Sequence, residues 1–187
     1  MPLMMFGVPL AILLLAAVWV AASYNGLVRL RNHCRESWAD VQSELKRRYD
    51  LIPNLVESVK GYVKHEQETL QRVIEARNRA VASTGTPSAQ AVDERALVGS
   101  LRQLFALSEA YPDLKANASF VAFQSDLRLT EDRIQAARRF YNGNVRDLNT
   151  RIEVIPTNLL AGMFGFTKEE YFEVDEAAVK DAPAVRF

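Results

Sequence analysis

Residues 38–65 read WADVQSELKRRYDLIPNLVESVKGYVKH, and their apolar side chains recur with the period of a long amphipathic helix. One apolar residue returns at every seventh position, at Trp38, Leu45, Ile52 and Val59. The pattern runs through Pro53, where a helix loses one backbone hydrogen bond and the proline ring crowds the preceding turn. A kink at Pro53 and a restart with Asp50 as N-cap are both consistent with this sequence, and we favour a kinked continuous helix.

The helical pattern extends on both sides of this stretch. We predict a first helix over 24–82, a second over 89–110 and a third over 117–155, because apolar residues keep the same spacing in each. No segment of comparable strength alternates with period two. The sequence therefore predicts an all-α fold with an antiparallel bundle of three to four long helices over 24–155, followed by a short C-terminal helix and an extended tail over 156–187.

A membrane-spanning helix is predicted before the bundle. Residues 3–22 read LMMFGVPLAILLLAAVWVAA and carry no charge, and about twenty such residues cross a hydrocarbon core of roughly 30 Å. A cleaved signal peptide is the alternative, but no Lys or Arg precedes the run and the run is long for such a peptide. We predict an uncleaved single-pass anchor over 1–23. Because Arg29, Arg31 and Arg35 follow it, the positive-inside rule predicts a cytoplasmic bundle and a short outer N-terminus.

The composition gives little support for catalysis or for nucleic-acid binding. Lys plus Arg and Asp plus Glu number 23 each, so no overall charge indicates a nucleic-acid partner. The single Cys34 excludes an intramolecular disulfide and a Cys-based zinc cluster. His65 and Glu66 are the nearest approach to a metal-binding pair, but the zinc-peptidase pattern needs a second His on the same helix face. We predict no catalytic residue, no cofactor and no metal, in a protein that is not an enzyme.

Polar residues within the long helices are the remaining candidates for a functional site. They come from the first and third predicted helices and are Arg47, Arg48, Asp50, Asn54, His65, Glu66, Arg77, Arg138, Asn142, Arg146 and Asn149. If the two helices pack antiparallel, some of these side chains meet in a hydrogen-bonded layer that fixes register or partner alignment. The alternative is that most point to water in ion pairs along one helix, each contributing roughly 0.2–0.5 kcal/mol. We favour the architectural layer over a ligand site.

Several longer motifs resemble those of the LemA family. They are YNGLVRLRN at 24–32, RRYDLIPNLVESVKGYVKHE at 47–66, EAR at 75–77, EAYPDLKAN at 109–117, FYNGNVRDLNT at 140–150, IPTNLLAGMFGF at 155–166 and YFE at 171–173. Leu148 departs from the family pattern, which commonly has an aromatic residue there. The resemblance implies a bacterial single-pass inner-membrane protein with a cytoplasmic helical bundle, and it supplies no activity. Some LemA-like proteins are associated with internal membranes such as magnetosomes, and others are encoded near membrane-protease or membrane-remodelling genes.

The leading functional hypothesis is a membrane-anchored helical scaffold that binds another protein or copies of itself. The predicted anchor and the uninterrupted heptads are the features that favour it. A membrane-remodelling or lipid-binding module that uses the arginines after the span and the aromatic C-terminal segment is an alternative. An accessory factor of a membrane protease or of an envelope-stress pathway is a further one.

Overall fold

The chain is helical in every regular element that a computed structural model describes, over residues 2–63 and 66–174. The helices are α1 Pro2–Lys60, α2 Gln67–Ala82, α3 Pro87–Ser108, α4 Pro112–Lys115, α5 Ala118–Glu153 and α6 Thr157–Met163. No strand occurs within these ranges. The predicted all-α class, a long apolar N-terminal helix followed by a helical bundle, is confirmed. Residues 167–174 continue without a helix, and 175–187 of the predicted tail lie outside the described residues.

The chain divides into two compact units that share helices α1 and α5. We call Met1–Ala39 with Phe140–Glu169 the terminal unit, and Asp40–Arg139 with Glu170–Phe187 the central unit. These two units are defined by which residues contact each other. The boundaries predicted from the sequence, near 23 and 155, instead separate the membrane anchor and the C-terminal tail from the bundle. Those predicted boundaries stay a prediction.

The core of the central unit draws side chains from each of its helices. Ile52 of α1, Val73 of α2, Leu104 of α3, Leu114 of α4 and Phe120 of α5 are all buried in one cluster. Within this unit α1 and α5 run antiparallel, since the end of α1 lies beside the start of α5 and an earlier residue of α1 contacts a later residue of α5. The amide nitrogen Nδ2 of Asn117 donates to the Tyr62 hydroxyl at 2.8 Å, and Arg48 contacts Glu131.

The break in the first long helix lies after Lys60, and the expectation of one helix to residue 82 is wrong. Helix α1 passes through Pro53 and ends at Lys60, and α2 begins at Gln67. From Trp38 to Ala80 the heptad series has one charged member, Glu66, which lies between Val59 and Val73. Gly61 adds a second cause, because glycine costs about 1 kcal/mol in a helix relative to alanine. The segment predicted as one helix is therefore a hairpin of two helices, α1 and α2, and both contribute apolar side chains to the core.

The terminal unit packs α6 and parts of α1 and α5 around a smaller core. Leu27 and Cys34 of α1 are buried in it, as are Val145 of α5 and Leu160 of α6. The side-chain amide of Asn144 donates to the Ser37 hydroxyl at 3.1 Å and to the His33 carbonyl at 3.3 Å. These contacts fix the register of α5 against α1 within this unit.

From Val8 to Trp19, α1 is not covered by any other part of the chain that the structure describes. Its large apolar side chains are exposed; they are Val8, Leu10, Ile12, Leu13, Leu14, Leu15, Val18 and Trp19. Within the described residues α1 is the one helix long and apolar enough to cross a membrane. Only 6% of its most apolar stretch of 18 residues is buried. Contiguous exposed apolar surface of this kind is uncommon on water-soluble proteins and marks contact with a membrane or another protein.

Candidate functional site

A charged cluster lies inside the central unit, centred on Arg48 of α1. Arg48 sits between Leu45 and Ile52 on the apolar stripe of the helix, so the fold carries its side chain inward. Its side chain is only 3% exposed, and Glu94 of α3 is 1% exposed. Two opposite charges buried to this extent must be paired, because an isolated ion in a protein interior is very costly.

Each charged group in this cluster has a partner of the opposite sign. Arg48 donates from Nη1 to Glu131 Oε2 at 2.8 Å and from Nη2 to a carboxylate oxygen of Glu94. The Tyr49 hydroxyl donates to the other oxygen of Glu94. We call these four residues the Arg48 cluster. It ties α1 to both α3 and α5, so it specifies how the three helices align.

Burial shifts the pKa values of Tyr49 and Arg48. It raises the pKa of the Tyr49 phenol to about 12, so the hydroxyl keeps its proton at neutral pH and remains a donor. Burial also lowers the pKa of Arg48, and the neighbouring Glu131 carboxylate opposes that shift. Arginine stays protonated in proteins because its ordinary pKa is so high. Arg48 and the Tyr49 hydroxyl are therefore both hydrogen-bond donors across the physiological pH range, and the bonds from Arg48 are charge-assisted.

Arg77 supports the same helix at the point where Pro53 weakens it. Proline has no N–H, so the carbonyl four residues earlier, that of Tyr49, receives no helical hydrogen bond from position 53. Nε of Arg77, on α2, donates to this Tyr49 carbonyl at 3.3 Å. A side chain of the second helix therefore satisfies the backbone group that the proline leaves open. This contact compensates for the helical hydrogen bond that Pro53 removes from α1.

Asn149 joins α5 to the segment after α6 in the terminal unit. Its Nδ2 donates to the Glu169 carbonyl at 2.9 Å, and its Oδ1 accepts from the Glu169 N–H at 2.9 Å. One side chain thus satisfies both backbone groups of a residue that lies outside any helix. The pair fixes where the chain passes after the aromatic segment 164–166.

Replacing Asn149 with Ala is expected to loosen this segment. Both backbone groups of Glu169 lose their partner, and we expect a loss of about 1–3 kcal/mol in local stability. Amide hydrogen exchange of Glu169 measures the effect directly, since exchange reports local opening. Asn54→Ala, at an exposed position of α1, is the control and should leave exchange at Glu169 unchanged. Equal exchange rates in Asn149→Ala and the unmodified chain would contradict the assignment.

The other residues predicted for the polar layer divide between the two units. In the central unit Arg47 and Asn54 are exposed, Asp50 pairs with Lys46 at 2.6 Å, and Arg138 is partly buried. Glu66 directly precedes α2, where its carbonyl accepts from Thr69 at 3.1 Å. In the terminal unit Asn142 is partly buried, and exposed Arg146 lies 3.9 Å from Asp147. His65 lies outside the described residues. A common role for this set stays a prediction.

Glu94 and Glu131 are members of the site that the sequence reasoning missed. A usable signal was present, because each carboxylate interrupts an apolar stripe. Glu94 lies three residues before Leu97, and Glu131 lies between Leu127 and Ile134. Arg48 interrupts its own stripe in the same way. A charged residue on the buried stripe of each of three helices is the pattern that indicates a buried ion cluster.

Cys34 is a buried thiol, not an exposed reactive one. It packs in the terminal unit, and burial, with a smaller contribution from Glu169 and Asp147, raises its pKa to about 11. Its thiolate, the reactive form, is therefore scarce at neutral pH. Among residues 2–63 and 66–174, no three His, Cys, Asp or Glu side chains are grouped so that they could hold a metal ion.

Alkylation of Cys34 should depend on pH in a way that separates the folded from the unfolded chain. In the folded protein we expect slow reaction with iodoacetamide at pH 8, rising about tenfold per pH unit towards 11. In denaturant the rate should level off near pH 9, the ordinary thiol value. Because the folded pKa is the higher one, the thiol stabilises the fold below pH 9, and this contribution is lost as pH rises from 9 to about 11. A folded-state plateau near pH 9 would contradict the burial effect.

Fold and site together define a class of protein: an all-α bundle, held by an internal ion cluster, that follows a long exposed apolar helix. The sequence pattern of the LemA family matches residues 37–187. The chain belongs to the LemA family, as the motifs indicated.

Named relatives cover most of the chain. Protein LemA of Metamycoplasma hominis is 27% identical over 153 residues, which is 81% of this chain and 69% of that protein. Magnetosome protein MamQ 2 of Paramagnetospirillum magneticum is 25% identical over 187 residues, 87% of this chain and 68% of its own length. Magnetosome protein MamQ of Magnetospirillum gryphiswaldense is 24% identical over the same shares. The sequence similarity to these relatives therefore covers parts of both the terminal and the central unit.

Proposed function

We propose that this protein is a membrane-anchored helical scaffold without catalytic activity, with residues 1–23 as the anchor and the bundle as the binding part. The observation that carries the proposal is the exposed apolar surface of α1 from Val8 to Val18. A core helix of a water-soluble protein buries such side chains against its own fold. A bilayer is the solvent that removes this much apolar surface from water.

The structure of the terminal unit favours an anchor over a cleaved signal peptide. Helix α1 continues without a break through Ala22 and Ser23, and Ser23 and Leu27 are already buried. Cleavage at the small residues near Ala22 would cut inside a continuous helix next to packed side chains. Exposed Arg29 and Arg35 follow the apolar run, which supports a cytoplasmic bundle and an outer N-terminus at the bacterial inner membrane.

Anchoring and orientation are tested on the full chain in bacterial cells. Membranes washed in alkaline carbonate should retain the protein, and substitution of Leu13 and Leu14 by Arg should release a large fraction, because each buried charge costs about 2.5–3.5 kcal/mol in insertion. Substitution of the exposed Leu129 and Val92 by Arg is the control and should release none. In spheroplasts, external protease should remove an N-terminal tag and spare a C-terminal one. Release of the unmodified chain by carbonate would refute the anchor.

The scaffold part of the proposal places a partner in a groove of the central unit. The groove lies between α1 and α2 with a volume of about 690 Å³, and its apolar lining includes Val56, Leu70 and Ile74. Glu57, Lys60 and Arg77 also line it, so apolar and charged groups of both signs are available. This combination suits an amphipathic helix of another protein, which buries one face and pairs charges along its edge.

Photo-crosslinking in cells tests the groove. A photoreactive residue at Gln71 should capture one partner reproducibly, whereas the same residue at Arg79, which is exposed on α2 but does not line the groove, should not. Ile74→Asp in the Gln71 background should abolish the adduct. Capture of a second copy of this chain would make the scaffold a homo-oligomer. Equal adducts from Gln71 and Arg79, or adducts that survive Ile74→Asp, would refute the groove as the binding surface.

A lipid-binding module is a second candidate, and one observation favours it. Ile155, Leu159 and Met163, around α6, are exposed apolar side chains in the terminal unit. An accessory role for a membrane protease or in envelope stress stays a prediction from the resemblance. The names of the magnetosome relatives describe those proteins, and we take from them only that membrane association is a property to test here.

A further inference from the structure

Helix α6 has an apolar face on both sides. Thr157, Leu160 and Ala161 face inward and are buried in the terminal unit. The opposite side is also apolar and is open: Leu159 is 67% exposed and Met163 is 78% exposed. They are four residues apart, so they lie on one side of the helix, and Ile155, which precedes α6, is 83% exposed. A short surface helix of a water-soluble unit would carry polar residues at such positions.

Aromatic contacts fix the level of α6 along α1. The Tyr24 ring lies 4.9 Å from the ring of Phe164 and 5.9 Å from that of Phe166, centroid to centroid. Phe164 directly follows α6. Tyr24 is two residues beyond the apolar run that ends at Ala22, a rise of about 3 Å along the helix. The end of α6 is therefore held where α1 leaves its apolar segment.

Charged groups around this level suit a lipid surface. The Arg31 guanidinium lies 5.0 Å from the centroid of the Phe166 ring, and Arg29 and Arg151 are exposed. Lys168 pairs with Glu153. Tyrosine beside arginine at the end of an apolar span is the composition of a membrane–water boundary, where rings and long basic side chains bridge lipid and water.

We propose that the outer face of α6 inserts into the membrane interface beside α1, so that Ile155, Leu159 and Met163 contact lipid. The occupant is a bilayer because the open face of α6 is continuous, through Phe164 and Tyr24, with the exposed apolar surface of α1. This inference rests on the proposed anchoring of α1. The protein then has two lipid contacts on one unit, a span and a short helix in the interface of the leaflet that faces the bundle.

Spin-label depth measurements test this insertion. The full chain with Cys34→Ala is reconstituted in vesicles of phosphatidylcholine and phosphatidylglycerol, with single cysteines in turn at Leu14, Leu159, Met163 and Asn78, each carrying a nitroxide. Collision with oxygen reports lipid, and collision with a water-soluble nickel chelate reports water. Leu14 is the reference for the span and exposed Asn78 the reference for water. We expect the oxygen-to-nickel ratio at Leu159 and Met163 to exceed that at Asn78 several-fold.

The outcomes separate this inference from the anchoring on which it rests. If Leu14 gives the lipid signature while Leu159 and Met163 match Asn78, the insertion of α6 is refuted and the anchor stands. If Leu14 also matches Asn78, the anchor itself is refuted. If Leu159 and Met163 are shielded from both oxygen and nickel, another protein chain covers α6 and the lipid contact is refuted. A circular dichroism spectrum equal to that of the unlabelled chain verifies the fold of each sample.

Discussion

Replacing Glu94 with Ala is expected to lower the free energy of unfolding by about 3–5 kcal/mol, because it leaves the guanidinium of Arg48 buried with half of its compensation removed. Tyr49 loses its acceptor in the same variant. Glu131 can still bind Nη1 of Arg48, but that carboxylate is partly exposed and cannot replace the buried one. Urea unfolding of the full chain in detergent micelles, followed by circular dichroism, measures the loss.

An exposed ion pair on α1, the helix that carries Arg48, is the control for Glu94→Ala. Lys46 and Asp50 make a 2.6 Å ion pair with both side chains largely in solvent. Because exposed pairs contribute about 0–1 kcal/mol, Asp50→Ala should change the unfolding free energy little. Comparable losses in Asp50→Ala and Glu94→Ala would mean that the Arg48 cluster is not a buried network.

A charge-free replacement of the cluster separates pairing from packing. When Arg48, Glu94 and Glu131 are replaced together by Met, Leu and Leu, no unpaired ion remains in the core. Such exchanges of a buried ion network for apolar groups are often neutral or stabilising by about 1–4 kcal/mol. We expect the triple variant to be more stable than Glu94→Ala alone. A triple variant as unstable as the single one would show that the stability comes from the shape of these side chains and not from their charge.

Replacing Leu127 with Ala is expected to destabilise the central unit by about 2–5 kcal/mol, through lost burial and the cavity that remains. Leu127 of α5 is buried in the same cluster as Leu101 and Phe120. Two positions along the same helix, Leu129 is 55% exposed, so Leu129→Ala is a matched control. We expect that control to change stability by less than about 0.5 kcal/mol. Similar losses in both variants would contradict the register of α5 described above.

Periodicity predicted the helices well because an apolar residue at each heptad position independently indicates a buried helix face. The third predicted helix, 117–155, differs from α5 by a residue or two at either end, and Asn117 caps it by accepting from the Phe120 N–H at 3.0 Å. Periodicity failed at Glu66 because one polar residue in a long apolar series carries little weight. The turn there allows α2 to pack on α1, which is a tertiary contact.

The partners of the polar residues could not be read from spacing in one helix. Arg48 was a candidate, but its acceptors lie 46 and 83 residues away, on helices whose packing had to be known first. Asn149 was also a candidate, and its partner is the backbone of Glu169, which carries no side-chain signal at all. What the sequence offered was the position of a charge on an apolar stripe. The fold then decided which charges meet.

The contact between Arg77 and the Tyr49 carbonyl has an evolutionary consequence. With Ala at position 53, the backbone N–H of that residue would donate the ordinary helical hydrogen bond to the Tyr49 carbonyl. That carbonyl would then no longer depend on Arg77 for a donor. In a lineage that replaces Pro53, substitutions at position 77 would then be tolerated. In a lineage that keeps Pro53, selection would retain Arg77. The two positions should therefore show epistasis: the harm done by Arg77→Ala depends on the ancestral state at a site on another helix.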